Sequence, residues 1–243
     1  MGKLYIVGFG PGNAQNMTFL CKDTLEKADV IVGYTGYINL LRDVFPCKTF
    51  YESAMTQEIQ RCKAAIDLAC GGKTVCIVSG GDSGIYAMAS LVFELTYNLP
   101  EIEIEVIPGI TAALSGAALT GAPLGNDFAV ISLSDLLTPW DIIEKRLRAA
   151  AAGDFAICVY NPGSQKRTSH LRNACDILLE TIADIRPCAY ARNIGRHGQS
   201  ITFLTLGELR DTQCGMTDTV FIGSSSSIII NGRLVTPRGY RHE

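Results

Sequence analysis

Residues 4–13 read LYIVGFGPGN. An apolar run of strand length, LYIV, empties into a loop with glycines at 8, 10 and 12. Dinucleotide-binding α/β domains open this way, so the loop has to be tested against their fingerprint, G-x-G-x-x-G/A. Gly8 and Gly10 fit it, but the last glycine position holds Asn13. Pro11 lies inside the loop and has no N–H to aim at a pyrophosphate. The acid that would hold a ribose belongs at the end of the second strand. Here Asp29 precedes the run VIVGY instead of following it. These departures argue against a nicotinamide or flavin dinucleotide. A loop stiffened by proline makes a wall with few donors, which suits a partly apolar ligand. Taken alone, the loop can also be a tight strand-to-helix turn that touches no ligand.

Working outward from the loop, apolar runs alternate with helical patterns. KLYIVG, DVIVG, KTVCIVS and IEIEVIP read as the first four strands. FLCKDTLEKA reads as a helix capped by Thr18. Residues 56–70 put Ile59, Cys62 or Lys63, Ile66, and Ala69 or Cys70 near one helix face, and IYAMASLVFELTY reads as a buried helix. This βαβ rhythm predicts an α/β domain with a mostly parallel sheet. The small residues and turn formers of LTGAPLGND at 119–127 suggest a boundary, giving domains 1–122 and 123–243. The second half continues with FAVISLSD, a helix from Pro139 to Ala151, FAICVY, a helix from Ser169 to Ile182, and RPCAYAR. Four short strands follow, ITFLTL, TVFIGS, SIIIN and RLVT, and predict a mixed or antiparallel end to a second sheet.

Composition bounds the function. The chain has 243 residues, 47% hydrophobic and 19% charged, with a formal net charge of −3. That balance argues against a generic nucleic-acid binder, which needs excess positive charge to displace counterions. No apolar stretch approaches the roughly 18–20 residues of a membrane span, and no targeting segment is read at the start, so a cytoplasmic protein is expected. There are nine cysteines and no C-x-x-C pair. Several sit in strand-like runs, such as Cys76 and Cys158, and read as small buried hydrophobes in a reducing compartment; no metal site is expected from them.

Two further glycine clusters follow strands. SGGDSGIY at 79–86 follows KTVCIVS, and IPGITA at 107–112 follows IEIEV. In an open α/β sheet the ligand crevice lies beyond the carboxyl ends of strands, so these loops and GFGPG belong to one region. GDSG is also a serine-protease nucleophile sequence, but that chemistry needs a histidine and an aspartate around an all-β core. Here the segment joins a strand to a helix, and His170, His197 and His242 lie in the other half.

The three glycine motifs, in this order, resemble those of the tetrapyrrole methyltransferases of cobalamin and sirohaem synthesis, over essentially the whole chain. In the second half, LSDLLTPWDIIEKRL at 133–147, YNPGSQKR at 160–167 and RLVTPRGY at 233–240 are similar to the branch that methylates C17 of precorrin-3B and contracts its ring, or does so on cobalt-factor III. The resemblance implies two α/β domains with a cofactor cleft between them, S-adenosylmethionine as methyl donor, S-adenosylhomocysteine as product, and a homodimer. It implies cofactor contacts at Pro11, Gly80, Gly81, Asp82, Ile85, Thr111 and Ala112, and at Asn161, Ile194 and Thr217 in the second domain. Where many relatives have Asp-Pro in the second loop, this chain has Asp82-Ser83.

Methyl transfer from a sulfonium is an in-line displacement with a neutral leaving group, so the protein chiefly positions and desolvates, and no catalytic metal is needed. Ring contraction adds proton movements, for which Asp82, Asp135, Tyr160, His170 and His197 are candidates, with Asp82, Tyr160 and His197 put forward. A substrate rich in carboxylates should meet basic groups; Lys166, Arg167, Arg192 and Arg196 lie at or after strand ends, and Arg192 is the best placed. Trp140 reads as core packing ahead of stacking on a macrocycle. Rival readings are a methyltransferase of the same fold acting at another corrin position or on a non-tetrapyrrole substrate, and an NAD-dependent oxidoreductase or nucleotide-sensing module.

Overall fold

The computed structural model describes residues 2–99 and 102–240. The chain divides into two compact units, Met1–Ala112 and Ala113–Glu243. The first unit contains β1 (Lys3–Gly8), α1 (Phe19–Lys27), β2 (Val30–Tyr34), α2 (Thr35–Arg42), β3 (Thr49–Ser53), α3 (Glu58–Cys70), β4 (Thr74–Ser79), α4 (Ala89–Thr96) and β5 (Glu103–Ile107). Its five strands are all parallel, in the order β3-β2-β4-β1-β5.

The strand sequences explain why this sheet is covered on both faces. Leu4, Ile6, Val30, Val32, Val75 and Ile77 pack on one side with Cys62, Ala65 and Ile66 of α3 and Ala89 and Val92 of α4. Their strand neighbours Val7, Ile31, Cys76 and Val78 pack on the other with Cys21 and Leu25 of α1 and Ile38 and Leu41 of α2. Alternate residues face opposite ways, so a near-continuous apolar run is what a doubly covered parallel sheet requires. Thr18 caps α1 as expected, its hydroxyl accepting the Cys21 N–H.

Three expectations for this unit need correction. KTVCIVS and IEIEV are β4 and β5, because β3 and α2 intervene. β3, TFYES, is an edge strand with no fully buried residue, so it lacks the apolar run that marks its neighbours. The buried face of α3 is Arg61, Cys62, Ala65, Ile66 and Ala69, and Ile59 is exposed. α4 buries only Ala89, Val92 and Thr96, leaving Phe93 half exposed.

The second unit holds α5 (Ala112–Thr120, counted here although its first residue closes the first unit), β6 (Gly121–Ala122), β7 (Phe128–Ser132), α6 (Trp140–Ala152), β8 (Ala156–Tyr160), α7 (His170–Leu179), β9 (Pro187–Arg192), β10 (Ser200–Thr205), α8 (Leu206–Arg210), β11 (Asp218–Ile222), β12 (Ile228–Ile230) and β13 (Arg233–Val235). The main sheet runs β10-β9-β11-β8-β7. β7 and β8 are parallel, while β11 is antiparallel to β8 and β9, and β10 is antiparallel to β9. β12 and β13 do not extend this sheet; they form a separate three-stranded one with β6. One face of the main sheet packs Ile131, Ile157, Val159, Cys188, Val220 and Ile222 against α6, α7 and α8. On the other, Gly116 of α5 lets the Phe221 ring approach; a Cβ there would sit 2.8 Å from it and 3.0 Å from Ile194. That packing is why α5 belongs with the second unit, ahead of the turn formers at 119–127.

Candidate functional site

In the first unit the three glycine motifs follow β4, β1 and β5, which are adjacent strands. β1 leads toward β2, whereas β4 leads across β1 to β5, so the connections reverse between neighbours. That reversal defines the switch point where α/β sheets bind ligands at their carboxyl edge. The loops are joined main chain to main chain. Gly10 N–H donates to Gly81 O at 3.0 Å, and Gly81 N–H to Gly10 O at 2.7 Å. Asp82 ties in the third loop: its Oδ1 accepts from Gly84 N–H at 2.8 Å and its Oδ2 from Gly109 N–H at 3.0 Å. A Cβ on Gly109 would lie 2.2 Å from Gly81 O and 2.4 Å from Gly8 O, so only glycine fits.

This edge carries every cofactor residue the resemblance put in the first half. Pro11 is buried in the first loop; Gly80, Gly81 and Asp82 are half-buried, and Ile85 is exposed beside them. Thr111 lies just before α5 and Ala112 begins it. Asp82, put forward as an acid–base group, has both carboxylate oxygens engaged by backbone N–H groups. Ser83 is fully buried and its hydroxyl donates to Ile6 O, which removes the protease reading. β1 ends at Gly8 and α1 begins only at Phe19, so the glycine loop does not open that helix as a dinucleotide fingerprint does. Residues 8–13, 79–84 and 107–112 contain no lysine, arginine or histidine.

In the second unit the remaining residues gather along one sheet edge. The carboxyl ends of β7, β8 and β9 and the amino ends of β10 and β11 share it, by the strand directions above. Tyr160 ends β8, and its hydroxyl accepts the Ala113 N–H at 2.8 Å, so it caps the first turn of α5. Asn161 follows with φ of 53° and donates to Ser132 Oγ at 2.9 Å. Lys166 is exposed, and Arg167 donates to Ser134 Oγ at 3.3 Å. Arg192 ends β9, but its charge is already matched: Nε and Nη2 reach Asp218 Oδ1 and Oδ2 at 2.9 and 2.8 Å, and Asp218 is buried. The hydrogen bonds and charge of Asp218 push Arg192 further above its ordinary pKa. Ile194 is buried against Gly116, leaving its main chain for any ligand contact. Arg196 and the exposed His197 lie in the loop before β10, and Thr217 is exposed just ahead of β11.

A pair that the sequence left undeveloped stands out here. His170 Nε2 is 3.0 Å from Asp135 Oδ2. The His170 hydrogen bond holds the Asp135 carboxyl below the usual carboxylate range. Trp140 packs partly against the core, as read, and also meets the His170 ring edge-on at 5.2 Å.

All nine cysteines are free and six are buried. Burial pushes the thiols up, to about 11 at Cys62 and about 12 at Cys21 and Cys76. Among the described residues, no group of three or more His, Cys, Asp or Glu side chains is placed to hold a metal ion.

Residues 3–210 match the model of a family described as tetrapyrrole (corrin/porphyrin) methylases. A probable cobalt-factor III C(17)-methyltransferase from Salmonella typhimurium is 42% identical over 98% of this chain and 99% of that protein. A precorrin-3B C(17)-methyltransferase from Sinorhizobium sp is 38% identical over 98% of this chain and 97% of that protein. The crystal structure of the methyltransferase CobJ superposes with a TM-score of 0.90 at 36% identity, covering 98% of this chain and 100% of that one.

Proposed function

Because the chain belongs to the tetrapyrrole methylase family, we propose that it methylates C17 of precorrin-3B or of cobalt-factor III and contracts the macrocycle, in cobalamin synthesis, with S-adenosylmethionine as donor. The observation that carries this reading is the 42% identity to a C17-methyltransferase across 98% of the chain. The homodimer comes into the proposal from the resemblance, and the cytoplasmic location from the sequence reading of its segments and cysteines.

The first unit's residues fit such a donor. A sulfonium is a cation, and the three loops hold no basic side chain to repel it. In this proposal they offer main-chain groups at Gly80, Thr111 and Ala112, which can read an amino acid or an adenine edge, while Gly81, paired with Gly10, holds the first and second loops together beside the donor. In this proposal Pro11 and Ile85 supply apolar walls, and Asn161, Ile194 and Thr217 stay cofactor residues as the resemblance implies. Asp82 keeps the second and third loops in register, so its task is to hold the floor of the site. When bound, the donor supplies a methyl carbon with a neutral thioether leaving group. The chain's own work is to bind, to align donor and acceptor, and to exclude water. Lys166, Arg167 and Arg196 are assigned to the substrate's carboxylates, with Arg192 a weaker partner because Asp218 already holds it.

Calorimetric titration with S-adenosylhomocysteine and with NAD tests the class. Micromolar binding of the homocysteine compound and none of NAD is expected. The reverse pattern would replace this reading with a dinucleotide enzyme.

A further inference from the structure

Resting on the reading above, we propose that Asp135 is a substrate-positioning carboxylate, that His170 holds it in place, and that it accepts a hydrogen bond from a ring N–H of the bound tetrapyrrole. Asp135 lies beyond the carboxyl end of β7, on the edge that also carries Asn161, Lys166 and Arg167. Its side chain is 39% exposed, while Oδ2 is pinned by His170 Nε2 at 3.0 Å. The imidazole is itself fixed: it starts α7 and packs edge-on against Trp140. With Nε2 facing Oδ2, the carboxylate is held as an oriented acceptor.

The surroundings of this anion select its ligand. Leu136 and Leu137, the next two residues, are 74% and 98% exposed. One fixed acceptor beside two bare leucines suits a broad apolar ring with polar hydrogens at its centre, and a metal-free tetrapyrrole has that chemistry. Of the other acid–base candidates, Asp82 is engaged with Gly84 and Gly109, and Tyr160 with Ala113.

The test uses the full-length protein, precorrin-3B as ligand in an absorbance titration, and S-adenosylhomocysteine in calorimetry as the control for an intact fold. Asp135→Asn should weaken precorrin-3B binding by about 10- to 100-fold, the size of one hydrogen bond to a charged group. It should raise KM far more than it lowers kcat and leave the homocysteine compound's affinity unchanged. His170→Ala should follow it, and His170→Gln, whose amide N–H falls near the Nε2 position, should restore most of the affinity. Equal binding of precorrin-3B by Asp135→Asn and the parent overturns the inference alone. A His170→Gln variant as weak as His170→Ala overturns the positioning role. A parent protein that binds S-adenosylhomocysteine but not precorrin-3B overturns this inference, and one that binds neither precorrin-3B nor cobalt-factor III overturns the substrate reading as well.

Discussion

Asp82 shows how a residue can sit at a ligand edge and serve the scaffold. Its two oxygens satisfy N–H groups from two different loops. Asp82→Ala leaves both donors without that partner, at a cost of about 1–3 kcal/mol. Urea unfolding should show that loss, together with a loss of S-adenosylhomocysteine affinity. Asp135 makes a prediction in acid. Its folded pKa is depressed by His170, so the stability it contributes is present above the unfolded carboxyl value of about 3.9 and is lost as pH falls through the folded value. The unfolding free energies of the protein and of Asp135→Asn should therefore converge below about pH 3.9. Neither role is legible in the sequence. Asp82 reads as a ligand acceptor until its partners are seen, and His170 and Asp135 meet only because α7 starts beside the loop that follows β7.

Among the elements, the crowding of three loops at one edge is the critical feature. Gly109→Ala places a methyl group against carbonyl oxygens of two other loops, and those oxygens are fixed by strand pairing. Overpacking of this kind costs about 1–3 kcal/mol where side chains can yield, and here the obstacle is backbone. Thermal unfolding should show a loss at or above the upper end of that range, while Gly72→Ala, with nothing within 4 Å of its Cβ, should cost less, limited to the strain of its φ of 90°. The elements themselves were largely readable. β1, β2 and β4 announce themselves as apolar runs because both faces of their sheet are covered. β3 went unread because an edge strand with half-exposed residues carries no such run. β12 and β13 were readable as strands, but the pairing of β13 with β6 depends on a contact with residues more than a hundred positions earlier.

At the scale of the whole molecule, two units with separate cores each bring a set of the expected residues to one sheet edge. The three glycine loops of the first edge are rich in main chain and hold no basic side chain; the second edge carries Lys166, Arg167 and Arg196 together with the Asp135–His170 pair. In the function proposed above, the first unit's loops serve the donor and the second unit's basic groups serve the acceptor. The net charge of −3 gave no hint of it, because the basic residues are local to one edge and compensated elsewhere. The most direct measurement is the mass of the product formed when the protein is given precorrin-3B or cobalt-factor III and S-adenosylmethionine with a deuterated methyl group. The account predicts one labelled methyl on the tetrapyrrole, at C17, in a ring-contracted product. Transfer to another carbon, or no transfer to either tetrapyrrole, would contradict it.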